Sequence, residues 1–334
     1  MYIGILFTIL LAGIANAGTQ DSSVCPGVQL TKLRTFKVTE LVKLTANIMP
    51  KPDQNGTVSL LHHIPEGVAV STQPKVQVIK NRSLDELIKR GLNGTSSNLR
   101  SRTTIPGDVT YPWRTIGTVN LYDTSMHSTG HYCTGTLVGP RILLTASHCI
   151  PSWTDNRWGM EFIPAFNGQD RRNPRPFGHA WVTECYGVPS TDDVTGRDYA
   201  VCRLNDAIGD RIGWMGYRAS SGDSLYYNFP WTSVGYPQDT LNGKVMTVQG
   251  NLWVRDVDND GDGKELETDV FAGKGWSGGP MFASSLADNH VVGVLSGLEE
   301  EFDLFGPFVA DHDVTAGGML LARLISWARS NYAS

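Results

Sequence analysis

From Thr103 onward the chain reads as short apolar runs broken by Gly, Pro, Asn and Asp, and this punctuation limits the fold more than any other feature. Thr134-Gly135-Thr136-Leu137-Val138, Arg141-Ile142-Leu143-Leu144-Thr145 and Val245-Met246-Thr247-Val248-Gln249 have strand length and lie between turn residues. Runs of this kind, recurring between turn signals, predict an all-β barrel or sandwich. The 36 glycines and 17 prolines suit many tight turns better than long helices. No internal repeat has a fixed period. One helix is predicted, at 318–330, where Met319, Leu320, Leu321, Leu324, Ile325 and Trp327 form an apolar stripe that reads as core packing.

The first hundred residues are a different text. Residues 1–17 form an apolar run ending in Ala15-Asn16-Ala17, a small-x-small cleavage signature, so they read as a signal peptide. The run falls short of the about 20 residues a spanning helix needs. A secreted, extracellular product is expected. Residues 18–102 carry Lys/Arg-rich patches, no tryptophan and all three glycosylation sequons, at Asn55, Asn81 and Asn93. Gly91 to Asn98 is linker-like, bracketed by Lys89-Arg90 and Arg100-Ser101-Arg102, both candidate processing sites. The segment 18–102 therefore reads as a pro-segment, with a small independent domain as the alternative. The formal net charge of −5 supplies no basic footprint for nucleic acid. Five cysteines in an exported chain predict two disulfides and one left over; Cys133, Cys149, Cys185 and Cys202 allow three pairings, and Cys25 stands alone.

Three islands carry the chemistry: Leu144-Thr145-Ala146-Ser147-His148-Cys149, Gly196-Arg197-Asp198-Tyr199-Ala200-Val201-Cys202 and Gly273-Lys274-Gly275-Trp276-Ser277-Gly278-Gly279-Pro280. A serine hydroxyl is a poor nucleophile until an imidazole takes its proton, and the imidazole needs a buried carboxylate to fix its tautomer. Glycines beside Ser277 let the amides of Gly275 and Ser277 face one point, as an oxyanion requires.

The three islands, in the order His, Asp, Ser, resemble chymotrypsin-like peptidases. The glutamyl endopeptidase branch, with its secreted bacterial and fungal members, is closer still. The resemblance covers about residues 103–334 and includes Tyr111-Pro112-Trp113-Arg114, Cys133-Thr134-Gly135, Gly139-Pro140, Phe162 to Gly168 and Gly235-Tyr236-Pro237. It implies two six-stranded antiparallel barrels, an N-barrel at about 103–210 and a C-barrel at about 211–316, with the site between them. It also implies a Cys133–Cys149 loop bracing His148, which leaves Cys185–Cys202 as the second pair. His148 would be the general base, Asp198 its orienting partner and Ser277 the nucleophile of an acyl-enzyme mechanism, acting on protein or peptide substrates. Asp192 and Asp193 are rival carboxylates; Asp198 is preferred because the apolar Tyr199-Ala200-Val201 follows it and would bury it.

The sequence departs from that branch in three places. Leu295 stands where glutamyl endopeptidases carry a histidine, so a preference for glutamate is in doubt. With Phe271, Ala272, Ser296 and Gly297 it is expected to form an apolar or small specificity pocket without an acid at its base. Glu299, Glu300 and Glu301, just beyond, read as a solvated loop. Trp276 stands where trypsin-like zymogens carry an aspartate that pairs with the new N-terminal amine. Finally, Asp256, Asp258, Asp260, Asp262 and Glu267 fit the spacing of a twelve-residue calcium loop, although their flanks read as strands. Ca²⁺ is thus a candidate structural ion, against an acidic hairpin turn; no cofactor is required for the chemistry. A monomer is the default, and the alternative function is a binding protein that kept the peptidase fold without activity.

Overall fold

The structure, a computed structural model, describes residues 32–35, 37–71, 102–152, 158–188, 195–270, 272–283, 289–301 and 310–332. Residues 1–17, Cys25, Asn81, Asn93, Lys89-Arg90, Arg100, Asp192, Asp193 and Phe271 lie outside the described residues. The strands of the first half are β1 (Lys32–Thr35), β2 (Thr57–Leu60), β3 (Thr103–Thr104), β4 (Ile116–Tyr122), β5 (Ser128–Gly139), β6 (Ile142–Thr145), β7 (Gly159–Pro164), β8 (Ala180–Gly187) and β9 (Ala200–Leu204). Those of the second half are β10 (Gly216–Ser220), β11 (Trp231–Gly235), β12 (Thr247–Leu252), β13 (Val254–Asp260), β14 (Gly263–Thr268), β15 (Pro280–Phe282), β16 (His290–Glu301) and β17 (Ala310–Gly317). The apolar stripe near the end forms the helix Met319–Asn331.

The first sheet runs β1-β8-β7-β4-β5-β6-β9, and β9 also pairs with β8, so β4 to β9 close a six-stranded antiparallel barrel. Its interior holds Val119, Leu137, Leu143, Phe162, Val182 and Leu204, all at most 2% exposed. Burying one such side chain stabilises a fold by roughly 1.5–3 kcal/mol, so this layer supplies much of the drive to close. Cys185 faces Cys202 across the β8–β9 register, and the two form a disulfide; Cys133 and Cys149 form the other.

The second sheet has ten strands, ordered β13-β14-β17-β16-β15-β11-β12-β3, with β10 attached to β16 and β2 to β10. Its core centres on Trp231, Leu252, Leu266, Trp276 and Met281. A larger shared cluster, including Trp113, Leu144, Val201, Val234, Val291 and Leu324, fills the space between the two sheets and the C-terminal helix.

Residues 32–71, inside the stretch read as a pro-segment, are built into both sheets. β1 runs parallel to β8, and β2 pairs antiparallel with β10. The helix Val38–Thr45 packs on the C-terminal helix, and the hydroxyl of Ser326 donates to the Ile48 carbonyl at 3.0 Å. Arg329 fastens the joint: its guanidinium donates to the carbonyls of Val138 (2.6 Å), Leu61 (2.7 Å) and Met215 (3.1 Å). Those three carbonyls come from β5, from the chain just after β2, and from the residue before β10. Asn55, the sequon within this region, is exposed.

Candidate active site

The turn after β6 carries His148, and the Cys133–Cys149 disulfide ties that turn to β5. Asp198 stands just before β9, the strand next to β6, and is 2% exposed. Its Oδ2 lies 2.6 Å from His148 Nδ1 and accepts the hydroxyl of Ser296 at 2.7 Å. Its Oδ1 accepts the backbone N–H of His148 at 2.9 Å and the hydroxyl of Ser147 at 2.8 Å. Burial is the largest single influence on this carboxyl and would raise its pKa. The bonds and charge of His148, then the Ser296 hydroxyl and the His148 backbone, outweigh burial and hold the carboxyl below the usual range. Asp198 is therefore ionised across the neutral range, and the His148 ring, about two-fifths exposed, keeps an open edge.

Ser277 is reached from the other sheet. Its carbonyl accepts the N–H of Thr134 at 2.8 Å and lies 3.8 Å from Cys149 Sγ, so the serine turn docks on the disulfide-braced turn of His148. Thr134 works twice more: its hydroxyl donates to the Gly275 carbonyl (2.7 Å) and accepts the Tyr236 N–H (3.0 Å). Gly275 and Gly278 have φ of +94° and +79°, where L side chains are strained. Gly278 also has no space for a side chain, since an added Cβ would lie 2.2 Å from Thr145 Oγ1 and 2.4 Å from the Thr134 carbonyl. The ring of Tyr132 lies against Gly275 and Gly243, and burial pushes its phenol up to about 12. Trp276 is fully buried behind the turn; its indole donates to Ser233 Oγ at 3.1 Å, and its ring lies on Gly235.

Of the five residues expected to form the pocket, Phe271 lies outside the described residues and four are seen. Leu295 is buried among Trp231, Met281 and Val292, and its backbone holds the amide of Gly278 and the carbonyl of Gly279. Gly297 is paired with Val314. Ser296 turns its hydroxyl to Asp198, a role its place in the wall had hidden. Ala272 donates its N–H to Asp313 Oδ2 at 3.1 Å, and Asp313 is 6% exposed. A buried acid thus stands beside the segment expected to be the base of an acid-free pocket. Glu299, Glu300 and Glu301 continue β16 and pair along β17, so their backbone is strand rather than loop.

The five calcium candidates separate. Asp256, Asp258 and Glu267 come within 4.8 Å of one another, on the hairpin of β13 and β14. Asp260 instead pairs with Arg197 at 2.9 Å, and Asp262 lies 3.9 Å from Arg323. The segment folds as a hairpin turn between Asp260 and Gly263, with the expected strands on both flanks.

Sequence reasoning missed Ser147, Ser296 and Thr134 as donors to the site, and Asp313. A small hydroxyl residue directly before His148 was a signal for Ser147; the others act across long separations. Ser296→Ala tests this shell. Losing a donor to the carboxylate raises the Asp198 pKa and leaves its charge bearing more strongly on His148. The acid limb of kcat/KM should move to higher pH by about half to one unit. A pH–rate profile that does not move would show that the Ser296 hydroxyl does not tune the Asp198–His148 pair.

A family model described as Trypsin matches residues 111–303, more than half of the chain. An extracellular metalloprotease of Bacillus subtilis is 32% identical over 150 residues, covering 44% of this chain and 46% of that protein. A glutamyl endopeptidase of Bacillus licheniformis is 27% identical over 199 residues, covering 58% and 57%. The chain thus spans about half the length of the curated relatives it matches. Among solved structures, a Glu endopeptidase in complex with MPD shares the fold with a TM-score of 0.51, at 21% identity, over 70% of this chain and 97% of that one.

Proposed function

This chain belongs to the trypsin family, and from that premise we propose that it is a serine endopeptidase working through Ser277, His148 and Asp198. One observation carries the reading. A buried carboxylate holds His148 through both its ring nitrogen and its backbone, on a turn to which the Ser277 backbone is joined. In this mechanism Ser277 attacks the peptide carbonyl while His148 takes its proton and later returns it to the leaving amine. Asp198 fixes the tautomer and stabilises the imidazolium, and the amides of Gly275 and Ser277 receive the oxyanion. Water then repeats the sequence on the acyl-enzyme, with His148 again as base. An inactive binding protein has less support, because all three residues and both oxyanion donors are present.

Two features disfavour glutamate before the scissile bond. Leu295 has no donor to offer, and the buried Asp313 beside Ala272 would repel a second carboxylate. A metal-dependent reading, prompted by one relative's name, is weaker. Cys133, His148 and Cys149 bring possible ligand atoms within 4.8 Å, but both sulfurs are in a disulfide and offer no thiolate.

Further parts of the reading concern architecture and processing. β12 and β13, separated only by Trp253, act as one bent strand that closes β11 to β17 into a second barrel. Two disulfides and a relative named as extracellular favour secretion. The segment read as a pro-segment is cut within its basic end, and its part at residues 32–71 stays docked on the two sheets.

The direct test is labelling by a fluorophosphonate probe, with the modified residue located by mass spectrometry, beside digestion of a mixed peptide library. Adduct on Ser277 together with cuts after residues other than glutamate is the expected result. No adduct and no cleavage would return the chain to the binding-protein reading, and cuts mainly after glutamate would overturn the pocket assignment alone.

A further inference from the structure

Arg102 is the last basic residue of the candidate processing site, yet it is not held as a loose cleavage signal. Its side chain is 7% exposed, and its guanidinium meets Asp239 with both prongs, Nη1 to Oδ1 at 3.0 Å and Nη2 to Oδ2 at 2.9 Å. A two-pronged, half-buried pair fixes geometry in a way that an exposed lysine contact does not. The chain that follows is pinned as well. Thr103 and Thr104 form β3 against Val248 and Thr247, and the N–H of Ile105 donates to the Met246 carbonyl at 2.8 Å.

Asp239 sits where it can transmit that hold. Its carboxylate lies against Gly273, where an added Cβ would be 3.1 to 3.3 Å from three carboxyl atoms. The neighbouring Gln238 donates its N–H to the Lys274 carbonyl at 2.7 Å. Tyr236, three residues earlier, is bonded to the Thr134 hydroxyl that clamps the Gly275 carbonyl. The segment 236–239 therefore braces Gly273, Lys274 and Gly275 in turn, and Gly275 is an expected oxyanion donor. Position 276, directly before the nucleophile, is a buried indole with no carboxylate for a cation to engage.

We propose that the Arg102–Asp239 pair positions the oxyanion-forming turn, so that Arg102 belongs to the working enzyme and activating cleavage falls upstream of it. The inference rests on the endopeptidase reading given above. Arg102 is a positioning residue acting through Asp239 and Gly273. Its guanidinium offers a rigid planar fork that matches both carboxylate oxygens of Asp239, a geometry that a free amino terminus does not supply. The brace is accordingly complete in the uncut chain.

The test compares the processed full-chain product with Arg102→Gln, Arg102→Lys, Asp239→Asn and the charge exchange Arg102→Asp/Asp239→Arg. Each is read by fluorophosphonate labelling rate, by kcat and KM separately, and by its mature N-terminus. Arg102→Gln and Asp239→Asn should each lower kcat and labelling about 10- to 100-fold with KM within about twofold, short of the 10²–10³ loss of a whole oxyanion donor. Their combination should be no worse than either alone. The lysine variant and the exchange should recover part of the loss. Asp239→Asn, at a side chain 42% exposed, keeps the test open should the Arg102 variants fold poorly. A fully active enzyme beginning at Thr103, or kcat unchanged in Asp239→Asn, would overturn the proposal. Wild-type protein that the probe never labels removes the endopeptidase reading itself, and this inference with it.

Discussion

Asp198→Asn is expected to lower kcat by about four orders of magnitude while leaving the protein folded. Asp198 accepts four donors: the Ser147 and Ser296 hydroxyls, the His148 backbone N–H and the His148 ring. Asparagine has one acceptor oxygen. The backbone N–H cannot reverse its role, so that oxygen is drawn to the Oδ1 place, and the new NH2 falls at Oδ2. There it faces His148 Nδ1 as a donor and forces the ring proton onto Nε2. The imidazole then presents an N–H to Ser277 where a lone pair is needed. Hydroxyls rotate, so Ser296 can accept from the amide, and the site stays packed. Measured on a peptide substrate, kcat should fall with KM nearly constant. A loss below about tenfold would mean that His148 does not take its orientation from this carboxylate.

Arg329→Met carries the largest expected effect on stability. Burial pushes the guanidinium pKa down to about 10, yet it remains charged at neutral pH and is met by three backbone carbonyls. Methionine fills comparable volume and removes the cost of a buried charge, but it leaves those carbonyls without this donor. At roughly 1–3 kcal/mol for each orphaned acceptor, offset by the relieved desolvation, a net loss of about 3 kcal/mol is expected. Scanning calorimetry should show Tm lower by roughly 6–12 °C. Residues 57–71 should also become open to proteases, because Leu61 loses its tie. An unchanged Tm would show that β-pairing alone holds the N-terminal segment.

The strands, and the local turns of the three islands, could be read from the chain because their signals are local. Apolar residues alternate with turn formers within a few positions, and His148, Asp198 and Ser277 each sit among neighbours that specify the local turn. What could not be read depends on partners far away. Arg102 finds Asp239 across 137 residues, and Ser296 finds Asp198 across 98. The calcium spacing shows the converse: its intervals bring Asp256, Asp258 and Glu267 together, while the partners of Asp260 and Asp262, Arg197 and Arg323, come from elsewhere in the fold. Lys/Arg-rich patches, the lack of tryptophan and the glycosylation sequons marked residues 18–102 as separate. None of these features reports which edges of a sheet are left to be covered, and β8 and β10 take up β1 and β2 for that reason.

The docking of residues 32–71 also governs the order of assembly. Ile48 meets Ser326 across 278 residues, and Leu61 meets Arg329 across 268. During synthesis Ile48 and Leu61 must therefore wait for the C-terminal helix before these contacts exist. Closing loops of that length is costly in chain entropy before any contact repays it, and topologies dominated by distant pairings fold slowly. Residues 48–61 and the C-terminal helix thus depend on each other for their last contacts.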